Sequence, residues 1–149
     1  TIKDSSTNEI LAYNLSNNLA IDIVTETINK LVKLKSFKLH KDAFIHSDQG
    51  SHYTSPIFQK LLKKYNLGQS MSRRGNCWDN APQESFFGHM KDELSIKAQK
   101  WKSMEDVKPC IDDWMDYYNN DRYQMGLKKM SPNEYYKYIT EGIYPTFLK

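Results

Sequence analysis

The amino-acid sequence predicts an α/β domain with a mixed sheet. Three observations carry this expectation. Short β-type segments alternate with stretches of helical periodicity, Gly, Pro and Asx residues punctuate them, and the chain after Leu94 reads as helix. The 149 residues suffice for one domain with a real core. We expect a single domain over 1–149, with the sheet and its helices in 1–95 and a tyrosine-rich helical extension in 96–149.

Taken in order, Thr1 to Lys3 reads as the tail of a strand, and Asp4-Ser5-Ser6-Thr7-Asn8 as a polar turn. Ile10, Ala12 and Leu15 mark a second extended stretch. Asn18 is placed to cap a helix from Leu19 to Leu34, whose apolar residues share one face. Ala43-Phe44-Ile45 reads as a short buried strand ending in a turn at His46 to Gly50. Ser55-Pro56 opens a helix with proline at its first position, and Leu67-Gly68 closes it. Gln69 to Ser72 is expected to form a further strand. After a polar loop, Asp79 or Asn80 caps a helix with Pro82 in its first turn, running to about Leu94. Two more helices are expected, at about Ser103 to Asn119 and from Ser131-Pro132 through Tyr138.

Composition excludes several classes. No apolar run approaches the roughly 18 residues that span a bilayer, and there is no signal segment. A cytoplasmic protein is expected. Cys77 and Cys110 are too few for a disulfide framework or a zinc site. The net charge of +3 decides little, but its distribution is informative. Between Asp48 and Asp79 there is no acid, while Lys60, Lys63, Lys64, Arg73 and Arg74 are all basic. That patch suits a polyanion, although a solvated helix face would look the same.

Two carboxylates stand out by position. Asp48 follows a strand end, where side chains can converge on a site outside the sheet edge. Glu84 lies in the first turn of a helix behind a basic loop. Carboxylates gathered there are hard oxygen ligands for Mg²⁺ or Mn²⁺, and the two are expected to converge. Each also has a plainer reading: Asp48 as an Asx turn, Glu84 as a partner of the helix dipole. Glu84, Gly88 and Lys91 share one helix face by their spacing, and Phe86, Met90 and Leu94 share another. A mid-helix glycine costs about 1 kcal/mol relative to alanine but leaves room for a ligand to approach. His46 and His52 flank Asp48 as local hydrogen-bonders or bases. Trp78 and the tail tyrosines can stack on bases, or simply pack.

The segment His46-Ser47-Asp48-Gln49-Gly50-Ser51-His52-Tyr53-Thr54-Ser55 resembles the second-aspartate motif of bacterial insertion-sequence transposases of the DDE class. Asp79-Asn80-Ala81-Pro82-Gln83-Glu84-Ser85-Phe86-Phe87-Gly88-His89-Met90-Lys91 resembles their glutamate motif. Thirty-five residues separate Asp48 from Glu84, the spacing typical of the retroviral-integrase-like group. Tyr117 to Arg122, followed by Ser131-Pro132-Asn133-Glu134-Tyr135, resembles the C-terminal signature.

This resemblance implies a ribonuclease H-like fold and an integrase-like catalytic core. It implies that Asp48 and Glu84 are the second and third acids of a triad holding two divalent metal ions, Mg²⁺ or Mn²⁺. The reaction implied is DNA strand cleavage and strand transfer. Lys91 would bind DNA next to the scissile phosphate, and Arg73 and Arg74 would contact the backbone. The partners implied are transposon ends and target DNA, with a homo-oligomer as the active assembly, nucleoid-associated when bound to DNA.

In the family the first aspartate lies on the first strand of the fold. Here the chain opens at Thr1, near the end of what resembles the second strand. The first strand and first catalytic aspartate are therefore expected to lie outside the chain. Asp4, in the turn, is a poor substitute. Two rivals follow: a catalytically inactive remnant that at most binds DNA, and a nuclease of the same superfamily.

Overall fold

The computed structural model describes residues 1–34, 39–73 and 80–145. Arg74, Cys77, Trp78 and Asp79 fall outside the described residues. The elements are β1 (Ile2–Lys3), β2 (Ile10–Ala12), α1 (Asp22–Lys33), β3 (Phe44–Ser47), α2 (Ser51–Thr54), α3 (Pro56–Lys64), β4 (Gly68–Met71), α4 (Ala81–Ala98), α5 (Met104–Asn120) and α6 (Pro132–Glu141). A 3-10 turn, Met125–Leu127, precedes α6. The chain forms two compact units, one of Thr1–Ile2 with Ala12–Asp92 and one of Lys3–Leu11 with Glu93–Lys149.

The described strands make two small sheets, β1 with β2 and β3 with β4. β3 and β4 run parallel, with Phe44 opposite Gly68, Ile45 opposite Gln69, His46 opposite Ser70 and Ser47 opposite Met71. A parallel pair needs a crossover, and α2 and α3 supply it. α3 starts as its sequence demands: Ser55 Oγ accepts the Phe58 N–H at 3.2 Å, and Pro56 opens the helix. It ends differently from expectation. The stop is Asn66, in the left-handed region at φ 54°. The Leu67 N–H donates to Leu62 O at 2.9 Å and the Asn66 N–H to Lys63 O at 3.1 Å. This is a Schellman closure with asparagine in the glycine position. It also turns Leu67 back into the core beside Leu62.

The core of the first unit is Ile28, Phe58, Leu62 and Leu67, flanked by half-buried Val24, Ile45, Tyr53 and Leu61. The Tyr53 and Phe58 rings meet edge to face at 5.4 Å, and the Tyr65 hydroxyl donates to Asn29 Oδ1 at 2.9 Å. Each fully buried side chain of this size contributes about 1.5–3 kcal/mol.

Two further expectations need correction. The first helix begins at Asp22, not Leu19, and Asn18 does not cap it. Instead the Asn18 N–H donates to Ser16 Oγ at 3.0 Å, and Leu19 is 80% exposed. The apolar periodicity therefore overran the helix by a turn. Ala43-Phe44-Ile45 is not a fully buried strand either. The strand is Phe44–Ser47, with Phe44 62% exposed and Ser47 buried. Strand side chains alternate between faces, so an apolar run of this length cannot be buried throughout when only one face is covered.

In the second unit, Ile111, Trp114, Met115 and Tyr118 of α5 are buried, as their spacing requires. Glu93 is the hub of this unit: its Oε2 accepts the Trp114 indole N–H at 2.9 Å and its Oε1 accepts the Arg122 Nε–H at 2.8 Å. Asn119 pairs with the backbone of Ile10 in both directions, at 2.9 and 3.0 Å. Ser131 caps α6, and the Glu134 carboxylate accepts the Ser131 N–H at 2.9 Å.

Phe58→Ala removes the largest side chain of the first core. It should cost about 3–5 kcal/mol, read as a lower urea midpoint at unchanged slope. A loss under about 1 kcal/mol, closer to the effect of a surface change, would place Phe58 outside the core.

Candidate active site

Asp48 lies one residue past the C-terminal end of β3, where a parallel strand delivers side chains to a site beyond the sheet. The surrounding bonds set its position. Gln49 Nε2 donates to Ser72 O at 3.1 Å and the Ser72 N–H donates to Ser47 O at 2.8 Å, so the ends of β3 and β4 are tied together. Asp48 Oδ1 accepts the Gly50 N–H at 2.8 Å. The Asx turn is thus realised, and it occupies only one carboxylate oxygen. The residue is exposed.

Two neighbours of Asp48 carry no sequence signal strong enough to single them out. An added Cβ at Gly50 would stand 2.8 Å from Asp48 Oδ1, too close for the carboxylate to stay where it is. Gly50 is at φ −59° and ψ 150°, a conformation open to any residue, so the glycine serves the carboxylate rather than the backbone. Tyr53, one turn on in α2, has its phenol pKa raised, first by burial and then by the charge of Asp48. Their offsets of two and five residues from Asp48 become readable only once α2, which periodicity does not reveal, folds Tyr53 back.

His46 is held at both ring nitrogens, with Nδ1 3.0 Å from Ser70 Oγ and Nε2 3.1 Å from Ser72 Oγ. It bonds β3 to β4 and is a strut of the site. His52 is half-buried in α2.

Glu84 sits in the first turn of α4 and is exposed, as are Gly88 and Lys91. A Cβ on Gly88 would meet nothing within 4 Å, so the space beside Glu84 is open. The opposite stripe is apolar: Phe86 and Leu94 are buried and Met90 is half-buried. Lys60, Lys63 and Lys64 are exposed on α3, with Lys64 Nζ 5.3 Å from the Tyr65 ring, and Arg73 is exposed past β4. Asp48, Glu84, Lys91 and these basic residues all belong to the first unit. Asp4 belongs to the second. Its Oδ1 accepts the N–H groups of Ser6 and Thr7 at 3.0 and 2.8 Å and the Thr7 hydroxyl at 2.9 Å, so it caps the turn after β1. Among the described residues no three His, Cys, Asp or Glu side chains gather into a metal cluster, and no helix is long and apolar enough to cross a membrane.

Two family models, each described as an integrase core domain, match residues 1–77 and 65–132. The first alone covers more than half of the chain. This protein belongs to the integrase core domain family. Its curated relatives include the transposase InsK for insertion sequence element IS150 of Escherichia coli K12, 34% identical over 132 residues, which are 89% of this chain and 46% of the relative. A transposase-like protein of Haemophilus influenzae is 36% identical over 135 residues, 90% of this chain and 60% of that protein. The transposase for IS986/IS6110 of Mycobacterium tuberculosis CDC 1551 is 30% identical over 136 residues, 89% of this chain and 49% of the relative. The chain thus spans about half the length of the curated relatives it matches. The catalytic core domain of BIV integrase superimposes with a TM-score of 0.64 at 17% identity, over 87% of this chain and 78% of that one. The integrase core of this protein is therefore a mixed α/β fold of the ribonuclease H-like type seen in retroviral integrase catalytic cores.

Removing the charge of Asp48 tests this part of the site directly. In Asp48→Asn the Tyr53 pKa should fall yet remain above the ordinary phenol value, because burial persists. Titration of ¹³C-labelled tyrosine by NMR reads it, and an unmoved Tyr53 would mean that the two groups are not neighbours.

Proposed function

We propose that this chain is part of the catalytic core of a transposase that cleaves DNA strands and joins them to target DNA, with Asp48 and Glu84 as two of the acids of its divalent-metal site. The observation that carries the reading is the Asp48 carboxylate. It is exposed at the end of a parallel strand, fixed through one oxygen by Gly50 N–H, and its other oxygen takes no partner among the described residues. The transposase names of the relatives support the same reading.

The donor set suits the metal. Both carboxylates are hard oxygen donors, and Mg²⁺ is commonly bound through one or two carboxylates with water in the remaining positions. When bound, Mg²⁺ or Mn²⁺ supplies Lewis acidity to the attacking water or 3′-hydroxyl and to the leaving oxygen. The protein's own part is positioning. Gly50 holds one oxygen of Asp48, and His46, Ser70 and Ser72 hold the strand ends beneath it. Gly88 leaves space beside Glu84 for a sugar-phosphate. Lys91 offers an ammonium to the adjacent phosphate, about two turns along the same face of α4. Lys60, Lys63, Lys64, Arg73 and Arg74 bind the backbone on either side without reading sequence. The active assembly is a homo-oligomer on paired element ends.

A core that binds DNA without cutting it is the second reading. The observation that favours it is that among the described residues no three His, Cys, Asp or Glu side chains gather into a cluster, and Asp4 is a turn cap. Measured on a core that also carries the first strand, metal-dependent joining lost on Asp48→Asn supports the first reading, and DNA binding without cleavage supports the second.

Mn²⁺ broadening of backbone NMR signals locates the metal without an activity assay. It should be strongest at Gly50 and Ser85 and vanish in Asp48→Asn. Gly50→Ala should weaken it while leaving the fold intact, since the new methyl displaces only the end of a side chain. Broadening confined to one of the two segments would separate Asp48 from Glu84 and end the shared-site reading.

DNA affinity should fall steeply with salt. The double variant Lys91→Ala, Arg73→Ala should bind duplex DNA more weakly, with the slope of log K on log salt shallower by about 0.9 for each phosphate that is no longer neutralised. A slope equal to the parent's would remove both residues from the DNA interface.

A further inference from the structure

The second unit carries a cationic turn that the proposed strand-transfer site does not use. Lys128 and Lys129 are consecutive residues in the left-handed region, at φ 54° and 62°. The turn is closed by the Met130 N–H to Leu127 O at 3.0 Å, and by two bonds to the Gln124 backbone: Gln124 N–H to Met130 O at 3.0 Å and Lys129 N–H to Gln124 O at 3.1 Å. Leu127 and Met130 on either side are buried, so the two lysines project from an anchored base. Residues with a β-carbon are strained in this conformation, and Asn-Gly is the pair such a tight turn prefers. Two lysines are a poor choice for stability.

Their surroundings leave their charge available. Lys128 Nζ donates to the Tyr138 hydroxyl at 2.7 Å and lies 4.4 Å from the ring centroid. The phenol oxygen is thus an acceptor, which leaves the phenol proton to donate beside the ammonium. The Tyr138 hydrogen bond also raises the Lys128 pKa, so the group stays charged. From Arg122 to Lys137 the only acid is Glu134. Its carboxylate accepts the Ser131 N–H, while Arg122 is matched by Glu93. The cations without a matching acid are Lys128, Lys129 and Lys137 among the described residues of this stretch. Before the turn, Tyr123 is 64% and Met125 72% exposed, and a Cβ on Gly126 would meet nothing within 4 Å. An extended surface can come close here.

We infer that the Lys128–Lys129 turn, with the Tyr138 hydroxyl beside it, is a phosphate-binding site for duplex DNA in the second unit. This rests on the reading of the chain as a DNA-binding transposase core. Two ammonium groups on a closed turn, one already oriented by a phenol, match a row of phosphates, and the open Gly126 admits the backbone. An acidic protein segment is the competing partner.

Lys129→Gly tests the inference, because it relieves the strained position and removes one cation. Binding of a random-sequence duplex is followed by fluorescence anisotropy over a range of NaCl concentrations, with Tm measured in parallel. The expected result is weaker binding, a slope shallower by about 0.9, and a Tm equal to or above the parent's. Should the glycine lower Tm, Lys129→Asn, which also tolerates the left-handed region, supplies the same readout. An unchanged slope overturns the inference. If Lys91→Ala, Arg73→Ala flattens the slope while Lys129→Gly does not, the general DNA reading stands and this site alone fails. If the parent chain binds no duplex at low salt, both fail together. Weaker binding of polyglutamate with unchanged DNA binding also overturns it and assigns the turn to an acidic protein.

Discussion

Parallel strands cannot be joined by a tight turn, and this constraint organises the first unit. β3 and β4 need a crossover long enough to return the chain to the same end of the pair. The crossover is α2 and α3, and it holds its place because Phe58, Leu62 and Leu67 bury themselves with Ile28 of α1. The Schellman closure at Asn66 makes the return sharp enough for Leu67 to enter the core and for Gly68 to pair at once with Phe44. The parallel arrangement then brings Asp48 out at one edge, with Ser72 opposite. The bonds that fix Asp48 depend on that register: Gln49 to Ser72, His46 to Ser70 and Ser72, and Gly50 to the carboxylate itself.

The region around Asp48 shows how small residues serve an acidic site. Gly50 keeps its φ and ψ in an ordinary region, so its lack of a β-carbon matters for the space next to Oδ1. Gly88 plays a related part on α4, where it leaves the helix surface open between an acid and a lysine. Glycine gives up more conformational freedom on folding than other residues, a cost that makes sense where a ligand or a carboxylate needs room. The second unit solves a different problem. There Glu93, Trp114 and Arg122 form a connected polar set in which each carboxylate oxygen has its own donor, and Asn119 plays the part of a strand partner for Ile10. Tyr118 is buried in the same unit, and its phenol pKa is raised chiefly by that burial. The resemblance of Tyr117 to Arg122 to a family signature thus has a structural counterpart: these residues close the unit.

Much of the element order was legible in the amino-acid sequence. Ser55-Pro56, Ser131-Pro132 and the Ser103 start all carry cap chemistry that acts within a few residues, so their helices could be placed from local pattern. The buried stripe of α5 followed from spacing alone. Failures came where local pattern competes with longer-range packing. Leu19 fits a helical period but lies before the first turn, where the Asn18 N–H bonds to Ser16 Oγ and the chain bends at Asn17, Asn18 and Ala20. Phe44 looks like core by hydropathy, yet strand alternation turns it outward.

Residue identity and short spacing set the chemistry on offer: a pair of carboxylates at recognisable positions, an acid-free basic stretch, and a helix with a polar and an apolar stripe. Such properties survive without a fold. Folding selected which of these groups stand open. It capped a turn with Asp4, tied His46 to two serines, spent one oxygen of Asp48 on Gly50 and put two lysines on a strained turn of the second unit. The turns at Asp4 and Asp48 are local and were open to reading from the sequence. By contrast, His46 beside Ser70 and Ser72, Gln49 beside Ser72 and Asn119 beside Ile10 depend on backbone direction and on partners remote in the chain, which no local pattern encodes.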